Sequence, residues 1–481
     1  MKIPEDLKVS LIGIGPVGLV TGAVFAKQGH DVVVADIDKE RVTALNSGKP
    51  PFYEPGLDEL VKDLVARGLL RGMLRPPDDS ENVPGYYNAI ADTDVTFVCV
   101  GTPPNPDGSM NLDYIKKASV DLGTALREKR EYHVVVSKST IIPGTTEDVI
   151  LKRIEDYSWK KRGVDFGACS NPEFLLEGNA LAGALTPDRI VIGELDKRSG
   201  DVLMALYRDF HDTIPRLRVD IRTAEMIKYA SNSLLATKIA FANEMATICE
   251  AFGIDVYEVM AGVGLDYRIN PEFLRAGVGF GGSCFPKDVK AIATAASSKG
   301  LKVPLLDAVL WINEFQPRHA VELAERAAGD LKGKAVCILG LAFKPDTDDV
   351  RETRALPLLR ALRAKGCSVT GYDPKPEAMT NFKKHYVHDE LSTMKFARSI
   401  EEAIENKDIV IIQTEWAEFK KIEPRTFKRL MKDHPIVIDG RRIYKPELFL
   451  DAGITYMGIG WKGNDAHVIL SGGLSNNNDM S

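Results

Sequence analysis

The chain has 481 residues, too many for one hydrophobic core, so two or three domains are expected. Hydrophobic residues make up 44% and charged residues 27%, the balance of a soluble globular protein. Sixty-two Lys and Arg against 68 Asp and Glu leave a net charge of −6, which supports neither a nucleic-acid-binding nor an anionic-membrane surface. Six cysteines are scattered without a CxxC pair, several in apolar runs such as Phe97-Val98-Cys99-Val100, the usage of reduced thiols rather than a disulfide framework. Met1 to Lys8 carries charge and a proline but no apolar run, and no stretch approaches the ~20 apolar residues of a membrane span. A cytoplasmic protein without a membrane partner is expected.

Residues 9–12 read as a short buried strand that runs into Gly13-Ile14-Gly15-Pro16-Val17-Gly18 and then a helix to about residue 27. A second strand, 31–36, ends on Asp36. Strand, GxGxxG turn, helix and a terminal acid about 20 residues on form a dinucleotide fingerprint. Gly13, Gly15 and Gly18 allow a tight turn whose amides approach a pyrophosphate at a helix N-terminus. Asp36 accepts from the adenosine ribose hydroxyls and repels a 2′-phosphate, which favours NAD over NADP; Arg41 lies close by in sequence. Further strands at 95–100, 134–136 and 190–192 alternate with helical patterns, so a parallel sheet covered on both faces is expected.

Glu173 and Glu177 stand four apart in Asn171-Pro172-Glu173-Phe174-Leu175-Leu176-Glu177-Gly178. From 223 to 258 apolar residues recur at helical intervals with no glycine or proline before Gly253, the pattern of a long central helix that bridges domains, forms a dimer, or both. Lys228 and Asn232 share one face of it. Gly279-Phe280-Gly281-Gly282-Ser283-Cys284-Phe285-Pro286-Lys287-Asp288 then joins a glycine turn to a cysteine. With Ser283 as cap, Cys284 falls in the first turn of a helix, where partial positive charge favours a thiolate, and Asp288 lies one turn on. The eight histidines lie outside these segments, so proton handling falls to Lys, Asp, Glu and water. A second α/β unit begins near 334, with strands at 335–340, 368–373, 408–412 and 435–439. The polar stretch after about 461 is expected to be disordered.

These segments, together with Pro51-Phe52-Tyr53-Glu54-Pro55-Gly56-Leu57, Gly101-Thr102-Pro103, Lys138-Ser139-Thr140, Pro187-Asp188-Arg189-Ile190-Val191-Ile192-Gly193, Gly340-Leu341-Ala342-Phe343-Lys344, Arg351-Glu352-Thr353 and Asp439-Gly440-Arg441, run in one order over roughly residues 8 to 460. The chain resembles the UDP-glucose/GDP-mannose dehydrogenase family, and within it the UDP-glucose branch. The departures, Leu176, Ile141-Ile142 and Pro345, remove no polar group that the family's chemistry requires.

The resemblance implies two Rossmann-like doubly wound domains joined by a long central helix: 1–215 for NAD, 216–325 for dimerisation and the cysteine, 326–465 for the UDP-sugar, and a flexible tail, 466–481. It implies four-electron oxidation of a sugar C6 alcohol to a carboxylate with two NAD in succession. By matching position, Cys284 traps the aldehyde as a thiohemiacetal, and the thioester that follows is hydrolysed by water. Lys228 steadies the oxyanion, Asn232 positions the oxygen or water, and Asp288 assists proton transfer. Glu173 supports the acid–base step, and Glu177 and Thr140 lie near the nicotinamide and the water. Thr102 and Arg351 join the NAD site with Arg41. The substrate falls to Glu173, Phe174, Leu175, Lys228, Asn232, the loop Phe273-Leu274-Arg275-Ala276-Gly277, Gly281, Lys344 and Arg441, with the partner subunit's Arg268 completing the site in a dimer or higher homo-oligomer. GDP-mannose 6-dehydrogenase, or another nucleotide-sugar 6-dehydrogenase, is the alternative; UDP-N-acetylhexosamine enzymes usually carry a histidine where this chain has Ser283.

Overall fold

The computed structural model describes residues 6–75, 84–176, 178–386 and 394–464, so Glu177 and the expected tail 466–481 lie outside the described residues. The chain divides into two compact units, Met1–Ser231 and Asn232–Ser481. In the first, strands β1 (Lys8–Ile12), β2 (Asp31–Asp36), β3 (Leu70–Leu74), β4 (Val95–Val98), β5 (His133–Ser137), β6 (Phe166–Ser170), β7 (Ile190–Glu194) and β8 (Arg216–Asp220) form one sheet. Its order is β3-β2-β1-β4-β5-β6-β7-β8. Ile12 of β1 is in parallel register with Ala35 on one side and Val98 on the other. Chain order reverses there, which opens a crevice at the carboxyl ends of β1 and β4.

The strands are apolar on both faces because both faces are covered. Phe97, Val134 and Val136 share a core with Leu19, Ala23 and Phe25 of the helix Pro16–Lys27. Val98 and Val135 pack with Ile115, Leu122 and Ile154 on the opposite side. Pro16 sits in the first turn of its helix, where a missing N–H costs nothing.

One expectation is corrected here: β6 and β7 pair antiparallel, Ser170 opposite Gly193. A strand that starts where its predecessor ends needs no crossover. The connection after Ser170 therefore stays at the carboxyl end of β6, which keeps Glu173 beside the loops that follow β4 and β5.

In the second unit β9 (Ala335–Leu339), β10 (Ser368–Tyr372), β11 (Met394–Phe396), β12 (Ile409–Ile412), β13 (Ile436–Asp439) and β14 (Thr455–Gly458) pair in parallel as β11-β10-β9-β12-β13-β14. Renumbered from β9, this is the 3-2-1-4-5-6 order of the first sheet's core. The fold is α/β with two doubly wound sheets, and the long helix Ile221–Ala251 starts in one unit and ends in the other. That helix stops earlier than its apolar pattern implies. Gly253 adopts φ 65°, and the Ile254 N–H turns back to the Cys249 carbonyl at 2.9 Å. Asp255 then caps a separate helix, Val256–Gly264, by accepting from the Tyr257 N–H. Among the described residues no helix is long and apolar enough to cross a membrane, and no cluster of His, Cys, Asp or Glu could hold a metal ion.

Candidate active site

The glycine turn of the first unit is built on close approach. The Gly13 N–H bonds the Ala35 carbonyl at 2.7 Å, and with φ 116° the residue takes a conformation that side chains resist. A Cβ on Gly13 would stand 2.8 Å from the Cys99 carbonyl oxygen, and one on Gly18 only 2.0 Å from the Gly13 oxygen. Over Gly15, at the cap of the helix, a Cβ would meet nothing within 4 Å. Two glycines are needed by the fold, and the third faces open space at a helix N-terminus, where a pyrophosphate fits. Asp36 is half-buried; one carboxylate oxygen accepts from the Ile14 N–H at 2.6 Å and the other from the Asp38 N–H at 2.9 Å. Lone pairs remain on both oxygens for a ribose. Arg41 turns onto Asp38 at 3.3 Å, at the start of the helix that Asp38 caps.

Beside this turn the Thr140 loop is pinned down. The Lys138 and Ser139 N–H groups both bond the Val98 carbonyl at 3.0 Å, the Ser139 hydroxyl donates to the Val100 carbonyl at 2.6 Å, and the Thr102 hydroxyl to the Thr140 carbonyl at 3.0 Å. The Asn171–Phe174 segment adds charge to the same end of the sheet. Lys228 Nζ lies 3.0 Å from Glu173 Oε1, with both side chains buried. Burial raises the Glu173 carboxyl, but the Lys228 ammonium and the Leu175 N–H, 2.6 Å from Oε2, outweigh it and hold it below its ordinary value. Arg189 lies 3.8 Å over the Phe174 ring. Lys138 donates to the Asn171 side chain at 2.8 Å, and burial pushes its ammonium down to about 8. Glu173, Phe174 and Leu175 line a cavity of about 260 Å³.

The second unit carries an exposed thiol of its own. Cys284 is the cap residue of the helix Phe285–Ser298, whose second position is Pro286. Ser283 precedes the cap, its hydroxyl 3.6 Å from Cys284 Sγ, so Cys284 stands at the mouth of the helix rather than inside its first turn. The reason is the pair of positive-φ glycines before it, Gly279 and Gly282, which carry the turn up to Cys284 itself. All six cysteines are among the described residues, and Cys284 is the exposed one. Its carbonyl accepts the Asp288 N–H at 2.8 Å. The Asp288 side chain is buried; it accepts from Asn232 Nδ2 at 2.7 Å and from Lys287 Nζ at 2.6 Å.

The 273–282 loop leans on the second sheet. A Cβ on Gly277 would stand 2.8 Å from the Gly440 carbonyl oxygen, and one on Gly281 2.4 Å from that of Glu352. Gly277 thus lies against Gly440 and Arg441, Gly281 against Glu352 and Phe343, and the Phe273 ring packs edge-on to Phe285. Arg441 Nε donates to the Gln413 carbonyl at 2.7 Å, and Lys344 Nζ lies 5.6 Å from the Phe343 ring centroid. Arg275 is exposed, Arg351 pairs with Asp349 at 2.7 Å, and Arg268 pairs with Asp266 on an exposed loop.

One group that the sequence reading did not single out is Glu54. Its buried carboxylate accepts from the N–H groups of Gly178 (3.1 Å), Ala180 (2.7 Å) and Leu181 (3.3 Å), capping the helix Ala180–Leu185. The Pro51–Leu57 motif was its only signal.

Residues 7–211 match the NAD binding domain, 222–315 the central domain and 337–446 the UDP binding domain of one family. The chain belongs to the UDP-glucose/GDP-mannose dehydrogenase family. A UDP-glucose 6-dehydrogenase of Haloferax volcanii is 42% identical over 91% of this chain and 97% of its own. A GDP-mannose 6-dehydrogenase of Pseudomonas savastanoi pv. phaseolicola is 37% identical over 87% and 94%. The solved UDP-glucose dehydrogenase of Pyrobaculum islandicum superposes with a TM-score of 0.84 at 39% identity, covering 95% of this chain and 98% of that one. The family's NAD binding domain falls on the sheet that carries the Gly13–Gly18 turn, and its UDP binding domain on the sheet whose strand β13 runs into Asp439-Gly440-Arg441.

Proposed function

We propose that the chain oxidises C6 of UDP-glucose to the carboxylate of UDP-glucuronate, using Cys284 as the covalent nucleophile. One alcohol, two NAD and one water become one carboxylate, two NADH and three protons. The observation that carries this reading is the exposed Cys284 thiol at a helix N-terminus, one turn before the buried Asp288–Asn232 pair. Lys228, one turn before Asn232 on the same helix, is held ready by Glu173.

NAD supplies the two-electron acceptor in each oxidation, and the Gly13–Gly18 turn with Asp36 is the site that fits it; Arg41, Thr102, Thr140, Glu177 and Arg351 complete its contacts. Cys284 Sγ adds to the aldehyde carbon, and the resulting alkoxide oxygen is met by the Lys228 ammonium and the Asn232 amide. Once the sulfur carries an acyl group, water attacks the carbonyl carbon and the thiolate leaves. Glu173 and Asp288 take up the protons released at Lys228 and the water. Holding the aldehyde on sulfur keeps a reactive carbonyl from escaping between the two oxidations.

The division of labour runs 1–215 for NAD, 216–325 for the thiol and subunit pairing, and 326–465 for the UDP-sugar, where Phe273, Leu274, Arg275, Gly277, Gly281, Lys344 and Arg441 join Phe174 and Leu175. Two copies pair through the long helix. Leu234, Phe241 and Ile248 repeat every seven residues along it and remain exposed, and Leu265 and Tyr267 stand out beside Arg268, which reaches the neighbouring copy's site. The enzyme works in the cytoplasm.

The test is a panel of UDP-glucose, GDP-mannose and UDP-N-acetylhexosamines assayed for NADH and carboxylate. Two NADH per UDP-glucose are expected, and Cys284→Ala is expected to bind NAD normally yet make no carboxylate. One NADH per sugar, or a variant as fast as the parent, overturns the thioester route; turnover of GDP-mannose alone moves the assignment to that substrate.

A further inference from the structure

Lys228 and Thr140 come from distant parts of the chain, and one buried carboxylate spans the gap. Glu225, three residues before Lys228 on the long helix, is 2% exposed. Its Oε1 accepts from the Thr146 N–H at 3.0 Å and the Thr146 hydroxyl at 2.6 Å, and its Oε2 from the Gly144 N–H at 2.6 Å. The Thr146 hydroxyl also lies 2.7 Å from that of Ser137, the last residue of β5. The loop Lys138–Thr145 leaves β5 at Ser137 and re-enters helical structure at Thr146, so both of its ends converge on this carboxylate. Outside, Arg222 ties the first turn of the same helix to Glu147 at 2.5 Å and to Asp148 at 3.1 Å.

These bonds are more than a cap. Glu225 takes two amides and the Thr146 hydroxyl from the end of the Thr140 loop, about 80 residues away, and so ties the long helix to that loop. Burial pushes its carboxyl up to about 7, so an unpaired charge at this position would be costly. Gly144, with φ 97°, brings its N–H to the carboxylate by a backbone turn that other residues resist. We propose that Glu225 is a positioning residue that sets the distance between the Thr140 loop and the Lys228 side chain, and so the alignment of the group that steadies the oxyanion with the loop beside the nicotinamide. This rests on the reading of Lys228 and Thr140 given above.

Glu225→Gln keeps the shape but turns an amide N–H₂ toward backbone donors, which shifts one end of the loop. Thr146→Val keeps both backbone donors and loses the hydroxyl's bond to Glu225 together with its link to Ser137; Thr146→Ser retains both. For Glu225→Gln, kcat is expected to fall about 10- to 100-fold, the cost of sub-ångström misplacement, while the NAD dissociation constant stays within about threefold of the parent. Thr146→Val is expected to fall part of the way and Thr146→Ser to recover it. Parental kcat in Glu225→Gln overturns the proposal, as does a fall in kcat matched by an equal loss of NAD affinity, the signature of general loosening. If Glu225→Gln does not fold, the Thr146 pair decides: equal kcat in the valine and serine variants overturns it. A parent that makes no NADH from UDP-glucose refutes the function reading instead, since these comparisons are all made against an active parent.

Discussion

Lys228→Met tests the buried ion pair directly, because it removes one charge and leaves the other in place. Glu173 and Lys228 are 3.0 Å apart, with side chains 9% and 5% exposed, so solvent screens them little. Breaking such a pair costs about 3–5 kcal/mol, since a buried carboxylate loses its counter-charge. The Leu175 N–H still bonds Glu173 and Lys138 still lies near, which favours the lower end, about 3 kcal/mol. For a unit of this size that is a fall in Tm of about 6–12 °C. The loss should also depend on pH. In the parent, Glu173 sits below its ordinary value, so its stabilisation is present above about 4.5 and lost as pH falls through the folded-state value. In the variant, burial is left uncompensated and the carboxyl rises, so stability is present below about 4.5 and lost as pH climbs through the raised value. The Tm gap between parent and variant should therefore widen from about pH 5 to 7, a window that ends below the Lys138 transition near 8. Calorimetric melts of the parent, Lys228→Met and Lys228→Met with Glu173→Gln at both pH values check this; the double variant should regain most of the loss. A gap independent of pH, or a double variant no better than the single one, would refute the argument that an uncompensated buried charge is the cause.

Gly15→Ala and Gly18→Ala should separate cofactor binding from folding: the first is expected to melt like the parent yet bind NAD about tenfold or more weakly, while the second, overpacked against the Gly13 carbonyl, should lose about 1–3 kcal/mol as well. Titration calorimetry with NAD and thermal melts decide it, and equal melting points for the two variants would contradict the geometry. Glu225, raised by burial from 4.5 to about 7, contributes stability that is full below about pH 4.5 and is lost as pH rises through 7, so Glu225→Gln should flatten that stretch of the Tm–pH curve; a parent–variant gap constant between about pH 5 and 8 would count against it.

Much of this architecture was legible where local pattern and packing agree. The first strand, the glycine turn and Asp36 all point one way, as do the spacing of Lys228 and Asn232 and the turn before Cys284. Strands that depend on their neighbours were not legible. β8, Arg-Leu-Arg-Val-Asp, is a charged edge strand that pairs only with β7. β3 holds Gly72 at its centre, and Asn46 bonds both the N–H and the carbonyl of that glycine. β6, Phe-Gly-Ala-Cys-Ser, has little strand propensity and is placed by complete burial. The end of the long helix was hidden because the apolar spacing continues through Val256 and Met260 across the break at Gly253. The partners within the site were invisible for another reason: Asn232 and Asp288 are 56 positions apart, and Glu54 reaches across more than 120 residues to Ala180. Spacing reveals which residues share a helix face but not what that face meets.

The two sheets show how one topology yields two different sites. At the end of β9, Gly340 repeats Gly13: its φ is 101° and its N–H bonds the Tyr372 carbonyl at 2.8 Å. Asp373 repeats Asp36, accepting from the Leu341 N–H at 2.8 Å and the Lys375 N–H at 3.0 Å. The resemblance stops at solvent. Asp373 is 1% exposed and its Oδ2 takes two further donors, the Ala342 N–H at 2.9 Å and the Trp416 indole N–H at 3.3 Å, so that oxygen is spent within the fold and the carboxylate is closed to solvent. Trp416 stands four residues beyond β12 and Thr102 four beyond β4; the first position seals the turn with a buried indole, the second leaves a small hydroxyl beside the crevice. In the first unit a helix starts at Pro16, three residues after Gly13, and offers its N-terminal amides to a pyrophosphate. In the second no helix begins until Ala355, and Phe343 and Lys344 occupy the intervening loop. A ribose-binding acid needs open lone pairs, and a pyrophosphate needs a helix end close to the glycine. Because the second turn has neither, the proposed function leaves the ligand of the second unit to side chains, Lys344 and Arg441, by charge and hydrogen bonding, where the first turn offers its backbone.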